Sequence, residues 1–204
     1  MRTSLVVVLA ASLSLGLVAC KGDQSASPPA ASAQTTTAVA QTSATTSAAA
    51  SAAAPEPASD VRLGAPPPDF TATAQDGTQV HLAALKGKPV VVYFYPKDET
   101  AGCTKEACSF RDSWEALSKK GVVLIGISAD NDDSHRAFAK NHQLPFLLVS
   151  DPKGEIAGKF GVPMMMGTMT SRQSFVIGAD GNVKKIYRDV DVTVHAQQIL
   201  SDLS

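Results

Sequence analysis

Two cysteines five residues apart, Cys103 and Cys108, stand where a strand-like run gives way to a helix-like one. The lead-in is Tyr95-Pro96-Lys97-Asp98-Glu99-Thr100-Ala101-Gly102-Cys103, in which proline, threonine and cysteine fall as P-x-x-x-T-x-x-C. Beyond Cys103 the apolar residues recur at helical spacing. The sulfur is therefore expected among the unpaired N–H groups of a helix's first turn, at the positive end of its dipole. That setting favours a sulfur anion over a neutral thiol, and the anion is the reactive form.

At 100° per residue, Ala107, Phe110, Trp114 and Leu117 all point within about 40° of Cys103. Cys103 should thus face the domain interior on a continuous apolar stripe. Cys108 points about 140° away, on a polar face near Arg111, Asp112 and Glu115, and is expected to be partly exposed. Five residues of ideal helix separate the two Cα atoms by roughly 8.6 Å, beyond the ~7 Å limit for a disulfide. A bond between these cysteines requires the first turns to unwind, so a permanent structural disulfide conflicts with the helix. A transient one fits a two-step redox cycle. In such a cycle a Cys103 thiolate would take one oxygen from a peroxide to become a sulfenic acid, which Cys108 would be placed to resolve once the helix opened.

The segments that must position this pair form a strand and helix alternation. Phe70–Ala74 and Thr78–Leu82, split by Gln75-Asp76-Gly77, predict a hairpin. The near-continuous apolar run Val90–Tyr95 suits a central strand buried on both faces. Val122–Ser128 and Phe146–Val149 predict further strands, with helices over Asp132–His142 and around Ile156–Phe160. Ser174–Ile177 and Val183–Tyr187 flank a Gly178–Asn182 turn, and Val192–Leu203 predicts a closing amphipathic helix. The order implies an α/β fold, a mixed central sheet with helices on both faces.

The chain has 204 residues, 44% hydrophobic, with a formal charge of -1, so no basic excess is available for nucleic acid. Residues 1–19 pattern as a signal peptide, with Arg2 before the apolar run Leu5–Val18. Leu17-Val18-Ala19-Cys20 resembles a bacterial lipoprotein signal, which implies lipidation of Cys20 and a membrane anchor through its acyl chains. Lys21 after that cysteine, by resemblance to Gram-negative lipoproteins, implies the periplasmic face of the outer membrane. Residues 20–60 are almost wholly Ala, Ser, Thr, Gln and Pro, and are expected to be a disordered tether of about 35 Å reach. Residues 61–204 are expected to form one globular domain. With Cys20 lipidated, Cys103 and Cys108 remain to pair with each other.

The stretch Tyr93–Asp112 resembles the peroxiredoxins of the bacterioferritin comigratory protein type, also called peroxiredoxin Q, and the similarity runs over about 61–204. It includes Gly64-Ala65-Pro66-Pro67-Pro68-Asp69-Phe70 and the late arginine of Ser171-Arg172-Gln173-Ser174. The resemblance implies a thioredoxin-like fold and an atypical two-cysteine, thioredoxin-dependent type of peroxidase acting on hydrogen peroxide and organic hydroperoxides. Cys103 would be the peroxidatic cysteine and Cys108 the resolving one, joined transiently in a redox disulfide. Thr100 would orient the peroxide, Pro96 shield the pocket, and Arg172 stabilise negative charge. No cofactor or metal is implied. The expected partners are the peroxide and a thioredoxin-like or other thiol reductant, and the protein is expected to act as a monomer. Ala101 stands where many relatives have proline, which should ease opening of the loop before Cys103. The short Pro163–Met169 segment also departs from the relatives' longer loop.

Two other readings compete. A thiol–disulfide oxidoreductase on the same fold needs cysteines one helical turn apart, usually C-x-x-C. A Cu(I)-binding module would use the two cysteines and the methionines of 164–169. The four histidines carry no metal-site spacing and read as structural or solvated, and Asp130-Asn131-Asp132-Asp133 reads as a helix-capping loop.

Overall fold

Residues 61–203 are described by a computed structural model. The signal peptide, the lipidation at Cys20 and the tether lie outside them.

Strand β1 (Thr71–Thr73) and β2 (Gln79–His81) make the expected hairpin, with Gly77 at φ 87° supplying its turn. They are followed by β3 (Val90–Phe94), α1 (Ala101–Asp112), α2 (Trp114–Lys119), β4 (Val123–Ser128), α3 (Asp132–His142) and β5 (Leu147–Ser150). The second half holds α4 (Glu155–Lys159), the two-residue strands β6 (Met164–Met165) and β7 (Met169–Thr170), β8 (Gln173–Ile177), β9 (Val183–Tyr187) and α5 (His195–Asp202). The main sheet has the order β5-β4-β3-β8-β9. β3 pairs parallel with β4 and β4 with β5, whereas β8 runs antiparallel to both β3 and β9. The sheet is therefore mixed, as the element order implied.

β3 lies at the centre and is buried throughout, which is why its sequence is apolar at every position rather than alternately. Its side chains still divide by face. Val90, Val92 and Phe94 join a core layer with Phe70, Val80, Phe160 and Phe175. Val91, Tyr93 and Tyr95 face the other layer, with Cys103, Phe110, Leu117, Phe138 and Ile199 from the helices. Gly126, beside Tyr93 in the β3–β4 register, makes room for that ring: a Cβ there would sit 2.7 Å from its Cζ. Gly126→Ala should therefore destabilise by about 1–3 kcal/mol, the usual cost of overpacking, measurable by urea unfolding; an unchanged midpoint would mean that Tyr93 can move aside.

Two expected boundaries shift by more than one residue. The helix after Cys103 is not continuous to Leu117 but breaks at Ser113, whose φ and ψ are -92° and 0°. Gln197 of α5 donates to the Ser113 hydroxyl at 3.2 Å, so a tertiary contact sits at the break. The last helix starts at His195 rather than Val192, because the Asp191 carboxylate takes the Thr193 N–H at 2.9 Å and its hydroxyl at 2.6 Å in a turn.

Candidate active site

The register of β8 on β3 builds the site. Phe94 pairs with Gln173, so the next residue outward on β8's side is Arg172, beside Tyr95 at the end of β3. Residues 172, 174 and 176 share one face of that strand, and Ser174 and Val176 are buried there, Val176 in the layer formed with α1 and α5. The loop Pro96–Thr100 then returns the chain into α1 on this same side. Thr100 takes the N-cap position, and Cys103 is the third residue of the helix.

Cys103 is buried, 2% exposed, and its Sγ accepts from Arg172 Nη2 at 3.1 Å. Arg172 Nη1 also donates to Glu106 Oε2, so the guanidinium fork spans the sulfur and a carboxylate one turn further along α1. Thr100 Oγ1 gives its proton to the Lys97 carbonyl at 2.9 Å and makes no capping bond to the helix. Its lone pairs are thus the part of the hydroxyl left to accept from a substrate. Pro96 is half-buried in the same loop. Thr170 Oγ1 donates to the Tyr95 carbonyl at 2.7 Å, which docks the β6–β7 hairpin against the start of that loop.

Cys108 departs from expectation. It is 5% exposed rather than partly exposed on a polar face. The helical wheel considered only the sheet as a neighbour of α1, but α1 has a second one: Arg111 Nη1 donates to the His142 carbonyl at the end of α3 at 3.0 Å. The two cysteines are not joined in a disulfide and α1 is unbroken between them, as the ~8.6 Å helical separation requires.

Several site residues were not legible in the sequence reading. Glu106, to which the motif assigns no role, is 1% exposed and bonded to Arg172. Its spacing of three from Cys103 on a buried stripe was the available signal, since a carboxylate there needs a cation. His195 is fully buried, with Nε2 2.8 Å from Ser174 Oγ and 4.0 Å from Glu106 Oε1. Asp98 is buried under the loop, where Tyr95 Oη and Ser134 Oγ each donate to it at 2.7 Å and His135 Nδ1 lies 2.8 Å away. Burial pushes its carboxyl up, but His135 and the hydroxyl donors more than offset this and hold it below the usual range. Within the acidic loop 130–133, Asn131 does cap α3, accepting from Ser134 N at 2.9 Å.

The buried pair behind Arg172 has opposing titrations. Burial raises the Glu106 carboxyl from 4.5 to about 7, against the pull of Arg172's charge and hydrogen bond. Burial, helped by the nearby Arg172 charge, likewise lowers His195 from 6.5 to about 4, despite the opposing pull of a hydrogen bond to the Gln198 side chain. Between pH 4.5 and about 7 the folded chain keeps a Glu106 proton that the unfolded chain releases, so this group's stabilisation falls as pH rises. Between about 4 and 6.5 the unfolded chain binds a His195 proton that the folded chain refuses, so stability there rises with pH. The slopes oppose. In denaturant titrations across this range, His195→Gln should leave stability falling with pH and Glu106→Gln should leave it rising; the same slope in both variants would contradict the assignment.

A thioredoxin-like sheet with a buried thiol in the first turn of a helix, bonded to a guanidinium from a neighbouring strand, defines a peroxiredoxin-type site. The chain belongs to the AhpC/TSA family, whose model matches residues 63–186. It is 52% identical over 130 residues to the chloroplastic peroxiredoxin Q of Gentiana triflora, covering 63% of this chain and 60% of that protein's length. It is 38% identical over 149 residues to the bcp peroxiredoxin homologue of Coxiella burnetii, covering 70% of this chain and 99% of that one. Among solved structures it resembles the Xanthomonas campestris bacterioferritin comigratory protein, with a TM-score of 0.62 and 33% identity over 66% of this chain and 89% of that one.

Neither competing reading gains from the geometry. The cysteines are five apart on an intact helix, not one turn apart. Copper would have to share the Cys103 sulfur with the Arg172 cation 3.1 Å away, which repels it. The methionines instead form the β6–β7 hairpin, with Met166 at its exposed tip.

Proposed function

We propose that this protein is a thiol-dependent peroxidase that reduces hydrogen peroxide and organic hydroperoxides with Cys103 as nucleophile, resolved by Cys108. The observation that carries this reading is the 3.1 Å contact between Arg172 Nη2 and Cys103 Sγ in the first turn of α1. A fixed cation there attracts the thiolate and the negative charge that develops on the peroxide as it is split. The similarity to a Xanthomonas protein studied for alkyl peroxide reduction supports the substrate class.

The steps balance as follows. The Cys103 thiolate attacks one peroxide oxygen, an S–O bond forms as the O–O bond breaks, and the departing alkoxide or hydroxide takes up a proton. Cys103 is left as sulfenic acid. Thr100 accepts a hydrogen bond from the peroxide, while Pro96 and the buried floor keep water from the sulfur. The Cys108 thiol then attacks the sulfenic sulfur, water leaves, and a Cys103–Cys108 disulfide forms. An external dithiol, thioredoxin-like or another local thiol carrier, reduces it by exchange. Peroxide consumption by the full chain with a chemical dithiol tests the reading: turnover in proportion to dithiol supports it, and none rejects it.

We further infer that the mature chain is a monomer anchored by lipid on Cys20, facing the periplasm from the outer membrane, with 20–60 as its tether. Leu17-Val18-Ala19-Cys20 and the following Lys21 support the anchor and its location. Cys20→Ala should abolish labelling by radioactive palmitate and release the protein from the membrane fraction. Unlabelled, unprocessed wild-type protein in the cytosol would reject it.

A further inference from the structure

Glu99, four residues before Cys103, holds φ at 59°, a left-handed conformation that a residue with a long side chain keeps only when its surroundings impose it. Here the surroundings are the last turn of α3. Asn141 Nδ2 donates to Glu99 Oε1 at 3.0 Å, and His142 Nε2 lies 2.8 Å from Oε2. The same turn takes Arg111 through the His142 carbonyl at 3.0 Å. Glu99 and Arg111 bracket both cysteines, so the reactive helix is tied before its start and near its end to one platform. That platform is firm: Asn131 caps α3, Phe138 is fully buried, and the His142 ring packs edge-on against Phe138 with centroids 5.1 Å apart.

We propose that Glu99, Asn141 and His142 form a clasp that holds the cysteine helix closed, and that they are positioning residues for the resolving step. This rests on the peroxidase reading above. The step is Cys103 sulfenic acid plus Cys108 thiol giving the disulfide and water. It needs the Cα separation to fall from roughly 8.6 Å to under ~7 Å, so the first turns of α1 must unwind. With Glu99 pinned, the chain entering α1 cannot follow that motion. Its two side-chain bonds must break, and Glu99 then leaves the left-handed region. The clasp bonds favour the closed helix and the Glu99 backbone favours the open one. Their balance sets how long the sulfenic acid waits, and hence how often a second peroxide drives it to sulfinic acid.

The experiment is a single turnover of the full chain with one equivalent of hydrogen peroxide, followed by Trp114 fluorescence and by mass of the disulfide. Asn141 is exposed, so Asn141→Ala keeps the fold. His142→Phe keeps a ring against Phe138 but loses the bond to Glu99. The double variant and Glu99→Ala should each form the disulfide about fivefold to tenfold faster, the change expected from losing two partly exposed hydrogen bonds. Less sulfinic acid should accumulate in excess peroxide. The first oxidation, measured in a Cys108→Ser background, should be unchanged, and His142→Gln, which retains an N–H donor, should stay near wild type. Unchanged disulfide formation in the double variant, or an equal fall in both steps, would overturn the clasp alone. Wild-type protein that consumes no peroxide would overturn the peroxidase reading and the clasp with it.

Discussion

Cys103→Ser should abolish peroxide reduction, whereas Cys108→Ser should still consume about one equivalent and then stall as sulfenic acid. The asymmetry follows from placement. Cys103 touches the Arg172 guanidinium, at 3.1 Å, and it is Cys103, not Cys108, that occupies the first turn of α1. Cys108 lies in the second half of the same helix and is buried, so it reaches the oxidised sulfur only after the helix opens. Trapping with a dimedone-type reagent should label Cys103 in Cys108→Ser and nothing in Cys103→Ser. Oxidised wild type should carry the disulfide and change its Trp114 emission, since Trp114 packs beside Phe146, 6.1 Å between centroids, just past the end of α1. Turnover by Cys103→Ser with none in Cys108→Ser would exchange the two roles.

Arg172→Met should lower kcat/KM for peroxide by about 10²–10³, the scale for removing one donor aimed at developing charge. It should also destabilise the fold, because Glu106 is left buried with its cation gone. Losing one partner of a buried pair costs about 3–5 kcal/mol, and uptake of a proton by Glu106 sets the lower end of that range. The double variant Arg172→Met/Glu106→Gln should recover most of the stability and none of the rate. Arg172→Lys, a point charge without a fork, can serve the sulfur or the carboxylate but not both, and should fall between. Full activity in Arg172→Met would remove the guanidinium from the mechanism. Equal losses of stability in the single and double variants would show that Glu106 is not the group left stranded.

Part of this site is local and was legible in the chain. The apolar run Val90–Tyr95, the turn-rich Pro96–Gly102 and the helical period after Cys103 fix a strand, a loop and a helix start, because side-chain alternation, loop chemistry and amphipathic spacing act within a few residues. That was enough to place Cys103 inward in the first turn of a helix and to exclude a disulfide within an intact one. The family resemblance in Tyr93–Asp112 and at Arg172 then supplied the assigned roles.

What the tertiary structure decided is everything that depends on who lies next to whom. The pairing of Phe94 with Gln173 brings Arg172 to Cys103 across 69 positions of sequence, and no local pattern encodes that register. Glu106 and His195 become a buried pair with opposed titrations only because α5 closes over α1, and a lone Glu or His in a helix carries no trace of its desolvation. Cys108 is buried where its helical direction predicts partial exposure, because a helical wheel shows directions but not neighbours. The end of α3, tied to Glu99 and Arg111, is such a neighbour. The sequence by itself determined which thiol stands in the first turn of a helix and faces inward, since backbone periodicity is local. The tertiary structure determined what surrounds that thiol and which long-range hydrogen bonds tie down its helix, since burial and such bonds exist only once the chain has folded.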